Sequence, residues 1–138
     1  PHEILWRRPK MHASNSYDYA LIRLVPNVER GECLNVGVIL FCRTLDFLGA
    51  RIYLNEVRSL AMSPDLDLLA VQQQLDTIFL ICEGGPEAGP LGKMSQSERF
   101  NWLVSPRSTI IQISPTHEGV CDNPEVTLEH LFKTMVLL

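Results

Sequence analysis

No apolar run in this chain approaches the roughly 20 residues that a membrane-spanning helix requires; the longest uncharged stretches, such as Asn35 to Cys42, fall far short of it. A membrane-embedded protein is therefore not expected. Basic residues are also few, with 12 Lys and Arg against 16 Asp and Glu and a formal net charge of -4. Nucleic-acid binding, which rests on cations neutralising phosphates, is disfavoured. The four cysteines, Cys33, Cys42, Cys82 and Cys121, are widely spaced, and the first three lie in or beside apolar runs where a small hydrophobe would serve. That usage points to reduced thiols in a cytoplasm rather than to a disulfide framework.

Reaction motifs are missing as well. His117 and Cys121 lie four apart with His130 beyond, but no CxxC or HExxH pairing fixes two metal ligands on one turn. Asp65 and Asp67 suit a helix start without any metal. Gly92-Lys93 invites comparison with a phosphate-binding loop, yet Glu87 and Met94 stand where the pattern needs glycine and a hydroxyl, and the loop follows a helix. Ser108, Ser114, His117, Glu118 and Asp122 crowd one stretch without a GxSxG elbow, and Cys33 has no basic activator nearer than Arg30. Neither a cofactor nor a metal is implied.

What is present is the grammar of a sheet. Two apolar runs, Tyr17 to Val25 and Leu34 to Cys42, flank a charged connection and read as an antiparallel strand pair. The second run is apolar on both faces, as a central strand covered on each side must be. A connection at Arg43 to Asp46 leads to a third strand, about Phe47 to Leu54. Ser63-Pro64-Asp65-Leu66-Asp67 reads as a helix opening, followed by Leu68, Val71, Leu75, Ile78, Phe79 and Cys82 at helical spacing and stopped at Gly84-Gly85-Pro86. Gly84 to Gly92 then reads as a mobile surface loop. Ser95 and Glu98 make a capping-box pair for a shorter helix, a fourth strand runs from about Ser108 to Ser114, and Asn123-Pro124-Glu125 opens a last helix. The order βββααβα predicts an α+β fold, an antiparallel sheet of about four strands with helices packed against it.

At 46% hydrophobic and 20% charged, 138 residues suit a single domain. Residues 1 to 10, with the basic cluster Arg7-Arg8-Lys10, read as a leader or a segment added for expression, Met11 as a start, and 11 to 138 as one domain.

Polar side chains set among the apolar runs need partners, since an unpaired polar group is costly to bury. The candidate binding patch is Arg23, Arg30, Glu32, Asn35, Arg51, Arg107, Ser108 and His117. Arginine's planar fork beside hydroxyl and amide groups makes a receptor for carboxylate or phosphate. The bland alternative is a structural network, for example Arg23 or Arg30 paired with Glu32. Strand register, which decides between them, is not written in one sequence.

Two blocks carry a resemblance. Tyr17-Asp18-Tyr19-Ala20, Arg23, Pro26, Glu29-Arg30-Gly31-Glu32 and Asn35-Val36-Gly37-Val38 form the first. Trp102, Pro106-Arg107-Ser108, Gln112, Ser114-Pro115, His117, Gly119, Asp122 and Pro124 form the second. Together they resemble the signature of a bacterial family known as domain-of-unknown-function family 3037, over about Tyr17 to Leu138. The resemblance implies no particular activity, substrate or cofactor. It implies a small cytoplasmic bacterial protein encoded beside a kinase-like protein of the toxin-antitoxin type, and so favours a partner-binding role.

The leading expectation is a non-enzymatic protein-binding or adaptor domain. The alternative is an enzyme on an anionic, phosphorylated or nucleic-acid substrate, with Arg23 and Arg107 clamping charge and Glu32 or His117 as general base. The strand before the final helix is positioned to pair at an edge and support a homodimer.

Overall fold

A computed structural model describes residues 15–107 and 109–137. Three strands come first: β1 (Asn15–Leu24), β2 (Leu34–Cys42) and β3 (Phe47–Ile52). Helices α1 (Glu56–Met62) and α2 (Leu68–Glu83), a 3-10 segment at Pro86–Lys93 and helix α3 (Gln96–Leu103) follow. The chain closes with β4 (Ile111–Ile113), β5 (His117–Cys121) and α4 (Pro124–Met135). Each pairing is antiparallel and the spatial order is β3-β2-β1-β4, with β5 also on β1. The expected α+β architecture is borne out, with five strands in place of about four.

The sheet is sandwiched. Ile22, Leu24, Ile39, Phe41, Leu48 and Ala50 pack with Val71, Leu75, Ile78, Phe100 and Leu103 of α2 and α3. On the opposite face Leu21, Val38, Leu40 and Cys42 pack with Leu128, Leu131 and Phe132 of α4. Ile39 and Leu40 are both fully enclosed, one on each side. Truncating either to alanine would cost about 2–5 kcal/mol, so β2 holds both layers together. Its place mid-sheet between its sequence neighbours follows from that two-sided apolarity.

One irregularity positions the polar residues. Partners of β1 and β2 run Leu21 with Val38 and Ile22 with Gly37, then step to Arg23 with Asn35, passing over Val36. This β-bulge inverts the in-out parity of β2. Leu34 and Val36 therefore join the α2/α3 side together with Ile39 and Phe41, while Asn35 turns to the α4 side with Arg23. Gly37 makes the bulge feasible. A Cβ there would lie 2.8 Å from Ile22 Cδ1 and 2.9 Å from the Arg51 carbonyl oxygen.

Four local expectations need correction. The helix expected to open at Ser63 begins instead at Leu68, where the Asp67 side chain accepts from the Ala70 N–H. Ser63 ends the preceding helix α1, which the sequence reading lacked; Asn55 caps α1, and Ser59 is its only buried residue, so no apolar stripe announced it. The fourth strand spans only Ile111–Ile113, and β5 follows three residues later along the same side of β1. Pro115 has no N–H for a ladder, and Ser114 carries the join: its hydroxyl accepts from the Leu21 N–H at 2.8 Å. Finally, the stretch expected to be a mobile loop forms 3-10 turns, closed by the Gly85 N–H donating to the Gly92 carbonyl at 3.1 Å.

Candidate functional site

The bulge creates a cleft. Arg23 projects from β1 and Asn35 from β2 toward the C-terminal end of α4, where the Asn35 side-chain amide donates to the Met135 carbonyl at 3.2 Å. Arg58, on the first turn of α1, closes the far side, and Cys33 sits at the rim. The cleft holds about 350 Å³ and is completed by Leu34, Met135 and Val136. Two arginines line it and, among the described residues, no carboxylate does. The Arg23 Nε is buried and, among the described residues, has no hydrogen-bond partner. Terminal carbonyls of α4 supply roughly half a negative charge, against two full positive ones. An oxyanion, carboxylate or phosphate, is the ligand chemistry that would balance the cleft.

The other expected patch residues lie elsewhere. Arg30 and Glu32 pair with each other at 2.9 Å in the exposed connection after β1. That pairing pushes the Arg30 guanidinium's pKa up, chiefly through the hydrogen bond to Glu32. Arg51, on the outer strand β3, forms an ion pair with Glu129 of α4 and lies 4.9 Å from the Phe132 ring centre. Arg107 lies over Trp102 at 4.1 Å and donates to the Trp102 carbonyl at 2.7 Å, sealing the end of α3. His117 is exposed on β5, 5.2 Å from the Tyr19 ring. Ser108 lies outside the described residues. The eight thus divide: Arg23 and Asn35 come together, and Arg30, Glu32, Arg51, Arg107 and His117 do not join them.

Beside the cleft the sheet is only partly covered, because α4 rests mainly on β2 and β3. Register places Tyr17, Tyr19 and Arg23 of β1 on the α4 side, opposite Gly119, His117 and Gln112. Tyr17 lies across Gly119, its hydroxyl where a Cβ on that residue would collide with it, and burial pushes the phenol's pKa up. The result is an aromatic and amide surface running into the cationic cleft.

Arg58 escaped the sequence reading. Its signal was present in Asn55-Glu56-Val57-Arg58, a capping residue followed by an acid, which places Arg58 on a first turn. Among the described residues no three His, Cys, Asp or Glu are placed to hold a metal ion, and no helix is long and apolar enough to cross a membrane. Burial pushes the Cys82 thiol up to about 12 and, together with neighbouring Cys42, raises that of Cys121.

The family model described as Protein of unknown function (DUF3037) matches residues 19–136, which bears out the resemblance carried by the two sequence blocks. Comparison with curated proteins and with solved structures returns no match.

Proposed function

This chain belongs to the DUF3037 family, and we propose that it is a non-enzymatic protein-binding domain whose cleft captures an oxyanion, carboxylate or phosphate, carried by a partner protein. The observation that carries this reading is the Arg23 Nε, unpartnered among the described residues, in a cleft whose described lining holds a second arginine and no acid. A planar donor fork fixed in a groove recognises a planar or tetrahedral oxyanion with direction as well as charge. The adjoining Tyr17, Tyr19 and Gln112 surface supports a protein as carrier, because tyrosine and arginine are the residues that interfaces favour.

The enzymatic alternative needs a general base within reach of the bound group. Glu32 is held by Arg30 in the exposed connection, His117 stands against Tyr19, and neither lines the cleft. Binding without turnover fits that separation. The kinase-like protein that the resemblance implies is the partner class to test first.

The test is a titration of ¹⁵N-labelled protein with inorganic phosphate and, separately, acetate, read at the Arg23 Nε–H resonance. Saturable movement is expected with a Kd of about 1 mM, weakened about tenfold in Arg58→Ala. Asn35→Ala is expected to remain soluble and to bind more weakly. A stationary Arg23 signal in a folded protein would sink the reading, and unfolding of Asn35→Ala would assign that residue to the scaffold.

A further inference from the structure

The outer border of β3 is a second place where the chain is chemically unfinished. Among the described residues β3 pairs with β2 alone. The Tyr53 N–H donates to the Val36 carbonyl at 2.8 Å, which fixes the phase of the ladder. Odd-numbered residues of β3 direct their backbone groups at β2, and Leu48, Ala50 and Ile52 direct theirs outward. Among the described residues no hydrogen bond reaches those outward N–H and C=O groups.

Sheet borders are normally blunted by proline, lysine, a bulge or a covering segment. Phe47–Ile52 contains neither proline nor lysine and runs without a break. Arg51, the one charge on it, is engaged with Glu129. The border instead lies at the floor of a groove between two helices. A cavity of about 740 Å³ follows it from Phe47 to Arg51, and another of about 260 Å³ continues to Ile52. One wall is α2, presenting Asp76, Phe79 and Glu83; the other is α4, presenting Val126, Glu129 and Lys133.

We propose that the β3 border is a docking site for an extended, basic peptide strand of a partner protein, added to the sheet by backbone pairing. An incoming strand lies about 4.8 Å from β3 and meets the outward groups of three residues. Its alternate side chains fall toward the two walls. Phe79 and Val126, 41% and 64% exposed, offer apolar contact. The acids Asp76, Glu83, Glu125 and Glu129 outnumber Arg51 and Lys133 along the groove, which selects lysine or arginine on the strand. This site is separate from the Arg23 cleft and does not depend on it.

The test uses a peptide of alternating lysine and valine, about seven residues long to match β3 at ~3.3 Å per residue. Amide hydrogen exchange of the full chain is followed with and without it. Exchange at Leu48, Ala50 and Ile52 is expected to slow about tenfold or more on binding, and Glu83→Lys to weaken binding about fivefold. An alternating glutamate and valine peptide, and a lysine and valine peptide N-methylated at every second residue, are both expected not to bind. Unchanged exchange at the three amides, equal binding of either control peptide, or concentration-dependent dimerisation through this border would overturn the proposal.

Discussion

Arg99 and Arg23 are both drawn into the body of the protein, and their surroundings are opposites. Arg99, 7% exposed, donates from Nη1 to the Ile81 and Cys82 carbonyls at 2.7 and 2.9 Å and from Nε to the Met94 carbonyl at 3.1 Å. It closes the C-terminal end of α2, where carbonyls lack helical partners, and Gly84 (φ 78°) leaves room, since a Cβ there would lie 2.7 Å from Nη1. Arg23 has no partner at Nε among the described residues and faces a cleft. A guanidinium saturated by backbone is architecture; one left short of acceptors beside a second cation has donors free for a ligand, as the proposed reading requires. Arg23 is half-buried where Arg99 is buried, and it is the count of acceptors around each guanidinium, among the described residues, that separates the two most sharply.

The largest effect that would break this comparison is the pair of apolar replacements. Arg99→Leu leaves the end of α2 without its donors and is expected to cost about 3–5 kcal/mol. Arg23→Met removes an unsatisfied group and is expected to cost less than about 1 kcal/mol or to stabilise. Urea denaturation of both measures the contrast, and equal losses would place Arg23 in the scaffold. Gly37→Ala should come next. Its methyl collides with Ile22 and the Arg51 carbonyl, a cost of about 1–3 kcal/mol, and the displaced bulge should weaken phosphate binding at Arg23 even where the protein stays folded.

The smallest effect is a control on the α3 side. Ser95 donates to Glu98 from its backbone, and the side chains close the capping box, holding the Glu98 carboxyl below its ordinary range. The folded value being the lower one, this contribution is complete above the ordinary carboxylate range and disappears as pH falls through the lowered value. The difference in Tm between the parent chain and Glu98→Gln should therefore be present near neutral pH and vanish once the pH lies below the lowered value. Phosphate affinity should be the same in both.

Much of the architecture was legible because it rests on local pattern. β2 was readable to its ends, since a run apolar on both faces has one place in a layered fold. The body of α2 and the capping box of α3 were readable from spacing and from Ser95 with Glu98. β5 was not, because His117-Glu118-Gly119-Val120-Cys121 is nearly all solvent-facing and borrows its conformation from β1. The start of α2 was misread because Ser63-Pro64-Asp65 offers capping chemistry as good as that of Asp67. For the site, the chemistry of Arg23 and Asn35 was legible and their meeting was not. It depends on a register shift at Val36 that leaves no mark in composition. Arg99 had a signal that went unused: it lies one residue from Phe100 and four from Leu103, on the apolar stripe of its helix.

The join between β4 and β5 has a consequence for how copies of this protein behave in crowded solution. Two short pieces separated by Ser114-Pro115-Thr116 make a crooked hem, on which no neighbouring chain can lay a long, straight row of backbone contacts. Runaway fibril growth needs a template at both borders of each unit. Here one border is broken into fragments and the other is recessed between helices, two arrangements that offer a straight incoming template little to lie along.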